Sequence, residues 1–138
     1  NALNRHCFYI DILSMKKHQI FIVSMDLNGL KQINDNLGHA EGDKAILAVS
    51  QSAFDVINSK CRFYRMGGDE FEILCPSLSR SEVEIMIQKL KEEVHSKGYS
   101  ISTGYGEYKK GMDLDELIKE IDAMMYEDKA RMKAMEGI

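Results

Sequence analysis

Cys61-Arg62-Phe63-Tyr64-Arg65-Met66-Gly67-Gly68-Asp69-Glu70-Phe71-Glu72-Ile73-Leu74-Cys75 holds two short runs rich in aromatic and aliphatic residues, parted by Gly67-Gly68-Asp69. Runs of this kind on either side of a glycine-rich turn read as the arms of a β-hairpin, Cys61 to Met66 and Glu70 to Cys75. Glycines tolerate positive φ in a tight turn and leave room for a ligand to approach the backbone. Asp69 then stands at the hairpin tip.

Working outward, Ile20-Phe21-Ile22-Val23-Ser24-Met25 is a nearly continuous apolar run suited to a buried central strand, with Asp26 where it ends. Leu3 to Lys17 before it can form an amphipathic helix. Leu30, Ile33 and Leu37 recur at helical spacing with Gly38 as a stop, and a second helix is expected from about Gly42 to Ile57. Past the hairpin, Ser79 and Glu82 have capping-box spacing for a helix reaching about Lys97. Tyr99 to Gly106 alternates larger Ile101, Thr103 and Tyr105 with smaller residues, as a half-buried strand would. Asp113 and Glu116 open a last helix with the apolar stripe Leu114, Leu117, Ile118, Ile121 and Met125. This order predicts an α/β chain of the α+β type, with helices packed on a mostly antiparallel central sheet.

The chain has 138 residues, enough for one domain with a real core, and the expectation is a single domain over 1–138, cut from a longer signalling protein. Its net charge of -4 argues against a general nucleic-acid or membrane surface, so an anionic substrate must be met locally, by a metal or a few lysines. Three widely separated cysteines, Cys7, Cys61 and Cys75, make neither a zinc spacing nor a complete disulfide framework, and a reducing cytoplasm is the expected setting. No apolar run approaches the ~20 residues that span a bilayer.

If the strand ending at Asp26 neighbours the hairpin, Asp26 and Asp69 point at one place. Magnesium prefers oxygen ligands and completes its shell with water and substrate phosphates, so two acids suffice. Taken singly, a Gly-Gly pair is often only a turn and a strand-end aspartate only a helix cap.

Met66-Gly67-Gly68-Asp69-Glu70-Phe71, with Arg65 before it, resembles the signature that names the GGDEF family of diguanylate cyclases. Asp26-Leu27-Asn28-Gly29-Leu30-Lys31-Gln32-Ile33-Asn34-Asp35-Asn36-Leu37-Gly38-His39 and the following Gly42-Asp43 are similar to its second block. Asn4-Arg5, the Ser100 to Gly106 strand and Asp122 to Lys129 extend the likeness over nearly the whole chain. The resemblance implies a nucleotide-cyclase or palm-like fold with the signature on the hairpin, and condensation of two GTP into cyclic di-GMP. It implies magnesium, with manganese as an alternative, held by Asp26, Asp69 and the backbone carbonyl of Leu27.

By the same likeness Asp69 is the candidate general base, and Glu70 has a part beside the metals or in orienting Lys31. Gly67 and Gly68 give substrate its approach. Asn34 and Asp43 match the guanine readers: a carboxylate accepts from the ring N–H and exocyclic amine of guanine, and an amide both donates and accepts. Without the likeness, Asp43 reads as a helix-start acid and Asn34 as an exposed polar position. Lys129 and Lys133, one helical turn apart, are placed to reach the outer phosphates. Lys133 falls where an arginine in a Gly-Arg-Asn string is more usual, and lysine does not clamp phosphate bidentately. Asn28 stands where the family often has a second aspartate.

The symmetry of the implied reaction calls for a homodimer, formed at least transiently, and a sensor domain is expected elsewhere in the full-length protein, which could itself be membrane-anchored. Two other readings are a non-catalytic GTP-binding regulatory module and a cyclase for a mixed or adenine-containing dinucleotide; the intact Asp26 and Asp69 count against the first, Asp43 against the second. The product-binding Arg-x-x-Asp motif of many family members falls here on Asn58 and Cys61, which lack its guanidinium and carboxylate. The methionines at 124–125 and 132–135 read as flexible core filling, His39 as structural, and Tyr64, Tyr105 and Tyr126 as packing residues.

Overall fold

A computed structural model describes residues 3–15 and 19–136. The chain runs β1 (Leu3–Asn4), α1 (Arg5–Ser14), β2 (Gln19–Leu27), α2 (Leu30–Leu37), α3 (His39–Val56), β3 (Arg62–Gly67), β4 (Glu70–Cys75), α4 (Arg80–Ser96), β5 (Ile101–Lys109) and α5 (Leu114–Glu136). The five strands form one sheet in the order β1-β3-β4-β2-β5. Its pairings are antiparallel except the short parallel one of β1 with β3, so the expected mostly antiparallel sheet is present.

β2 is apolar from Ile20 to Val23 and again at Met25 and Leu27 because it lies inside the sheet with both faces covered. Successive side chains of a strand point to opposite faces. Phe21, Val23, Met25 and Leu27 therefore join Phe71 and Ile73 of β4 in one core, closed by α3 and α4 through Val49, Ala53, Val83 and Leu90. Ile20 and Ile22 join Tyr64 and Leu74 in a second core, closed by Phe8 and Ile12 of α1 and by Leu117 and Ile121 of α5. The buried Tyr64 hydroxyl donates to Asp11 of α1 at 2.6 Å. The Asp11 carboxylate also pairs with Arg62 at 3.0 Å. Burial and Asp11 push the Tyr64 phenol well above its ordinary value.

Local chemistry sets the element ends. Asn4 caps α1 by accepting from the Cys7 amide at 3.0 Å. α1 therefore starts at Arg5 rather than Leu3, and Leu3 and Asn4 pair with Tyr64 and Arg65 instead; Lys16 and Lys17 of the expected helix lie outside the described residues. The capping box on α4 is formed, with the Ser79 hydroxyl accepting from Glu82 N and Glu82 accepting from Ser79 N. α3 starts at His39, three residues earlier than expected, directly after Gly38 in a positive-φ conformation (94°).

The sequence expectation fails at further points. β5 is not half-buried: Ile101 to Gly104 are all buried, because α5 lies against the face that the small residues leave open. A methyl on Gly104 would strike the Ile121 carbonyl and come 2.8 Å from the Met125 amide. Gly67 and Gly68 are not among the positive-φ glycines, which are Gly29, Gly38, Gly98 and Gly111, so what they supply is open space. Tyr126 is 75% exposed, Met124 and Met135 are exposed too, and Met125 and Met132 are only half-buried, so none of them fills the core. Cys7, Cys61 and Cys75 are free thiols. No helix among the described residues is long and apolar enough to cross a membrane.

Gly104→Ala is accordingly expected to cost about 1–3 kcal/mol in urea unfolding through overpacking. Gly67→Ala, with nothing within 4 Å of the added methyl, is expected not to destabilise. Equal midpoints for the two variants would refute the close seating of α5 on β5.

Candidate active site

The hairpin does not close evenly. Arg65 pairs with Phe71 and Gly67 with Glu70, leaving Met66 as an extra residue. Such a bulge re-aims the residues that follow it. The turn is then tied across to β2: the Leu27 amide donates to the Asp69 carbonyl at 2.9 Å. Arg65 braces it from the other strand through a 3.2 Å bond to the Gly68 carbonyl.

This tie brings the predicted acids together. Asp26 on β2 stands opposite Glu70 on β4 and Ser102 on β5. One carboxylate oxygen each from Asp26, Asp69 and Glu70 lie within 4.8 Å of one another. Asp26 Oδ2 accepts from Lys129 Nζ at 3.1 Å. Asp26 Oδ1 is buried without a hydrogen-bond partner. Burial pushes the Asp26 carboxyl above its ordinary value; Lys129 opposes that rise and Asp69 and Asp122 add to it. Burial, then Asp26 and Asp69, push Glu70 upward as well. A crowded set of hard oxygen donors with an orphaned buried oxygen fits a divalent cation, which supplies the missing positive charge and ligand acceptor at once. Leu27 contributes its amide to the tie, and its side chain is buried in the core.

Beside the acids lies a cleft of about 450 Å³ whose walls include Asn28, Lys31, Asp69, Lys129, Met132 and Lys133. Three lysines chosen from sequence thus meet one of the acids at one opening. Asn34 and Asp43 do not line it. Gly42 leaves the space that the Asn34 side chain fills, which holds that amide at the junction of α2 and α3. Asp43 lines a separate groove of about 620 Å³ with Asn4, Ile46, Ser50 and Arg65. Gly67 and Gly68 border a third groove, of about 790 Å³, against α1. That groove is larger but has no carboxylate in its wall, so it is not where a cation would sit.

Asn28, in the place of an expected second aspartate, is held by both ends of its amide: it donates to Ser100 Oγ at 3.0 Å and accepts from Ser102 Oγ at 2.7 Å. An ionised aspartate lacks the donor needed for the first of these bonds.

Three acids escaped the sequence reading. Glu72 accepts from Ser24 Oγ at 2.7 Å on the α5-facing side of the sheet. Burial pushes its carboxyl up to about 8, against the Ser24 bond, with Asp122, Glu70 and Asp26 adding. Its signal was available, as a lone acid in the apolar run Phe71 to Cys75 sharing the parity of Glu70. Asp122 was visible as the residue two helical turns before Lys129. Asp128 had only its i,i+3 spacing to Arg131 as a signal, because its other partners lie on α4 and β5.

The family model described as "Diguanylate cyclase, GGDEF domain" matches residues 8–135, and the chain belongs to that family. It is 29% identical over 140 residues to the diguanylate cyclase VdcA of Vibrio cholerae, covering 91% of this chain and 41% of that protein. It is 32% identical over 114 residues to the probable diguanylate cyclase DgcJ of Escherichia coli, covering 80% of this chain and 23% of that protein. The chain thus spans less than half the length of either relative. Among solved structures, the GGDEF domain of DgcB from Caulobacter crescentus, crystallised with c-di-GMP, superposes with a TM-score of 0.85 at 24% identity, over 94% of this chain and 86% of that one. A microbial GGDEF domain studied for its interaction with cyclic di-GMP gives 0.81 at 27% identity, over 94% and 89%.

Glu72 yields a pH test. A carboxyl raised from 4.5 to about 8 binds its proton more tightly when folded, so its stabilisation is complete below about 4.5 and lost as pH rises through about 8. In Glu72→Gln, measured with a chelator present, the urea midpoint should gain on wild type steadily from about pH 5 to about pH 8. Parallel profiles would exclude a buried, proton-holding Glu72.

Proposed function

We propose that this chain is the catalytic domain of a diguanylate cyclase, joining two GTP into cyclic di-GMP and two pyrophosphates. The observation that carries the reading is the convergence of Asp26, Asp69 and Glu70 beside a cleft walled by Lys31, Lys129 and Lys133. The family membership supports the same activity.

In this reading the triphosphate lies toward Lys31, Lys129 and Lys133, and the guanine is read by Asn34 and Asp43. Asp26, Asp69 and the Leu27 carbonyl, with Glu70 beside them, would hold magnesium, or manganese in its place. Such a cation, when bound, makes a hydroxyl more acidic and neutralises charge growing on phosphate. The 3′-hydroxyl of each GTP attacks the α-phosphorus of the other; a phosphodiester bond forms, the bond to the β-phosphate breaks, and pyrophosphate departs. Asp69 receives the hydroxyl proton. Both transfers together need two copies of the domain facing across a two-fold axis, so the rate should rise steeply with protein concentration. The domain, 1–138, then serves as the cytoplasmic output module of a longer protein whose remaining parts supply the signal.

Concentrated protein incubated with GTP and magnesium should yield cyclic di-GMP when the nucleotides are separated, and Asp69→Ala should lose at least ~10²-fold of that rate while remaining folded. Failure of wild type to form product above background, with the protein folded and binding GTP, would favour a binding module instead. A variant keeping more than about a tenth of the rate would remove Asp69 from the mechanism.

The product-binding motif is expected to be non-functional. Cys61 is only 8% exposed. Its amide donates to the Asn58 carbonyl at 2.9 Å, and the Asn58 side chain accepts from Lys60 N at 2.8 Å. Neither position offers a cation or a carboxylate to a dinucleotide. Initial rates should show no non-competitive inhibition by added cyclic di-GMP; such inhibition, together with low-micromolar binding outside the substrate site, would overturn this.

A further inference from the structure

Lys129 and Lys133 act at the cleft only if α5 is held at one rotation and one height against the sheet. Gly104 permits the close approach but does not fix it, since an empty space has no preferred register. What fixes it lies one residue before Lys129. The Asp128 carboxylate is buried, at 7% exposure. Its Oδ2 accepts from the Thr103 amide at 2.8 Å and from Lys91 Nζ at 2.6 Å. Its Oδ1 accepts from Arg131 at 3.3 Å.

The Thr103 amide points away from β2. β5 is the last strand of the sheet, so this N–H has no neighbouring strand to serve. Asp128 thus satisfies a sheet-edge donor while meeting the charge of an α4 lysine, joining three elements at one carboxylate. Rotating α5 by one residue would turn that carboxylate about 100° away and strand the Thr103 amide and Lys91 unpaired. The same turn would withdraw Lys129 from Asp26.

We infer that Asp128 is a positioning residue for the phosphate-facing lysine, locking α5 to β5 and α4 so that Lys129 is held over Asp26. The inference rests on the GTP-binding reading of the cleft, and its test separates the two. Affinity for a non-hydrolysable GTP analogue would be measured by calorimetry in wild type, Asp128→Ala, Asp128→Asn, Lys129→Ala and the double variant Asp128→Ala/Lys129→Ala.

Loss of a charge-assisted phosphate contact should weaken Lys129→Ala about tenfold. Asp128→Ala should approach the same loss, and the double variant should be no weaker than Lys129→Ala by more than about twofold, the non-additivity of residues acting as one unit. Asp128→Asn, which keeps an acceptor for the Thr103 amide, should recover most of the affinity. If Asp128→Ala does not fold, Lys91→Met loosens the same joint and takes its place in the cycle.

Additive losses in the double variant, or a lowered melting temperature with unchanged affinity, would overturn the inference and leave Asp128 a purely structural stitch. A second arm needs no nucleotide: the side-chain NMR signal of Lys129 in the free protein should lose its Asp26-bonded shift in Asp128→Ala. Should wild type fail to bind the analogue, the GTP reading falls, and this arm still decides whether Asp128 places Lys129. An unchanged signal would sink the positioning role.

Discussion

The antiparallel register that sets Asp26 of β2 opposite Glu70 of β4 is the constraint on which the rest depends. Side chains alternate along a strand, so a slip of one residue would turn over the faces of β4 relative to β2 throughout. Glu70 and Glu72 would enter the core that Phe71 and Ile73 now share with Met25, and Asp26 would lose the acids opposite it. The cost of burying two carboxylates among aliphatic side chains excludes that arrangement. The same pattern that makes the core therefore makes the site, and the Leu27–Asp69 bond closes it where β2 ends.

Along the face toward α1 and α5, polarity rises in the direction of that end. Ile20 and Ile22 are apolar, Ser24 pairs with Gly104 and bonds Glu72, and Asp26 pairs with Glu70 and Ser102. α5 follows the same gradient, with Leu117 and Ile121 over the apolar part and Asp122 and Lys129 over the polar part. Burial first, and the neighbouring carboxylates after it, raise the affinity for protons of Asp26, Glu70 and Glu72. Folding energy from the apolar half holds together a polar half that would not assemble alone.

How far this was legible from sequence follows from the range of each interaction. The hairpin, the capping box at Ser79 and Glu82 and the apolar β2 run depend on neighbours a few residues away, and each formed as read. The meeting of Asp26 with Asp69 was legible because both sit at backbone turning points. What escaped depends on a partner far along the chain. The small residues of β5 looked like the exposed side of a half-buried strand, and only the arrival of α5 makes them buried. Gly67 and Gly68 suggested positive φ, whereas the bulge at Met66 absorbs the turn's geometry without it. Asn58 and Cys61 showed in sequence that a binding motif was missing, but not that Cys61 would be covered by the core.

Lys129 stands where α5, the acid cluster and the cleft meet. Its ammonium satisfies one oxygen of Asp26 and leaves the other without a donor. An ammonium carries three N–H donors, so a bond to Asp26 leaves two for a neighbouring anion, and the cleft that Lys129 shares with Lys31 and Lys133 lies beside it. A lysine fixed to the acid cluster from α5 thus couples the helix's seating to the charge state of Asp26. Removing its amine would leave a buried carboxylate with neither oxygen answered, a larger loss than the exposed ion pairs elsewhere on the surface, such as Lys44 with Glu41, contribute. The same group therefore belongs to the stability of the acid cluster and to the wall of the cleft, and a substitution at 129 reads on both.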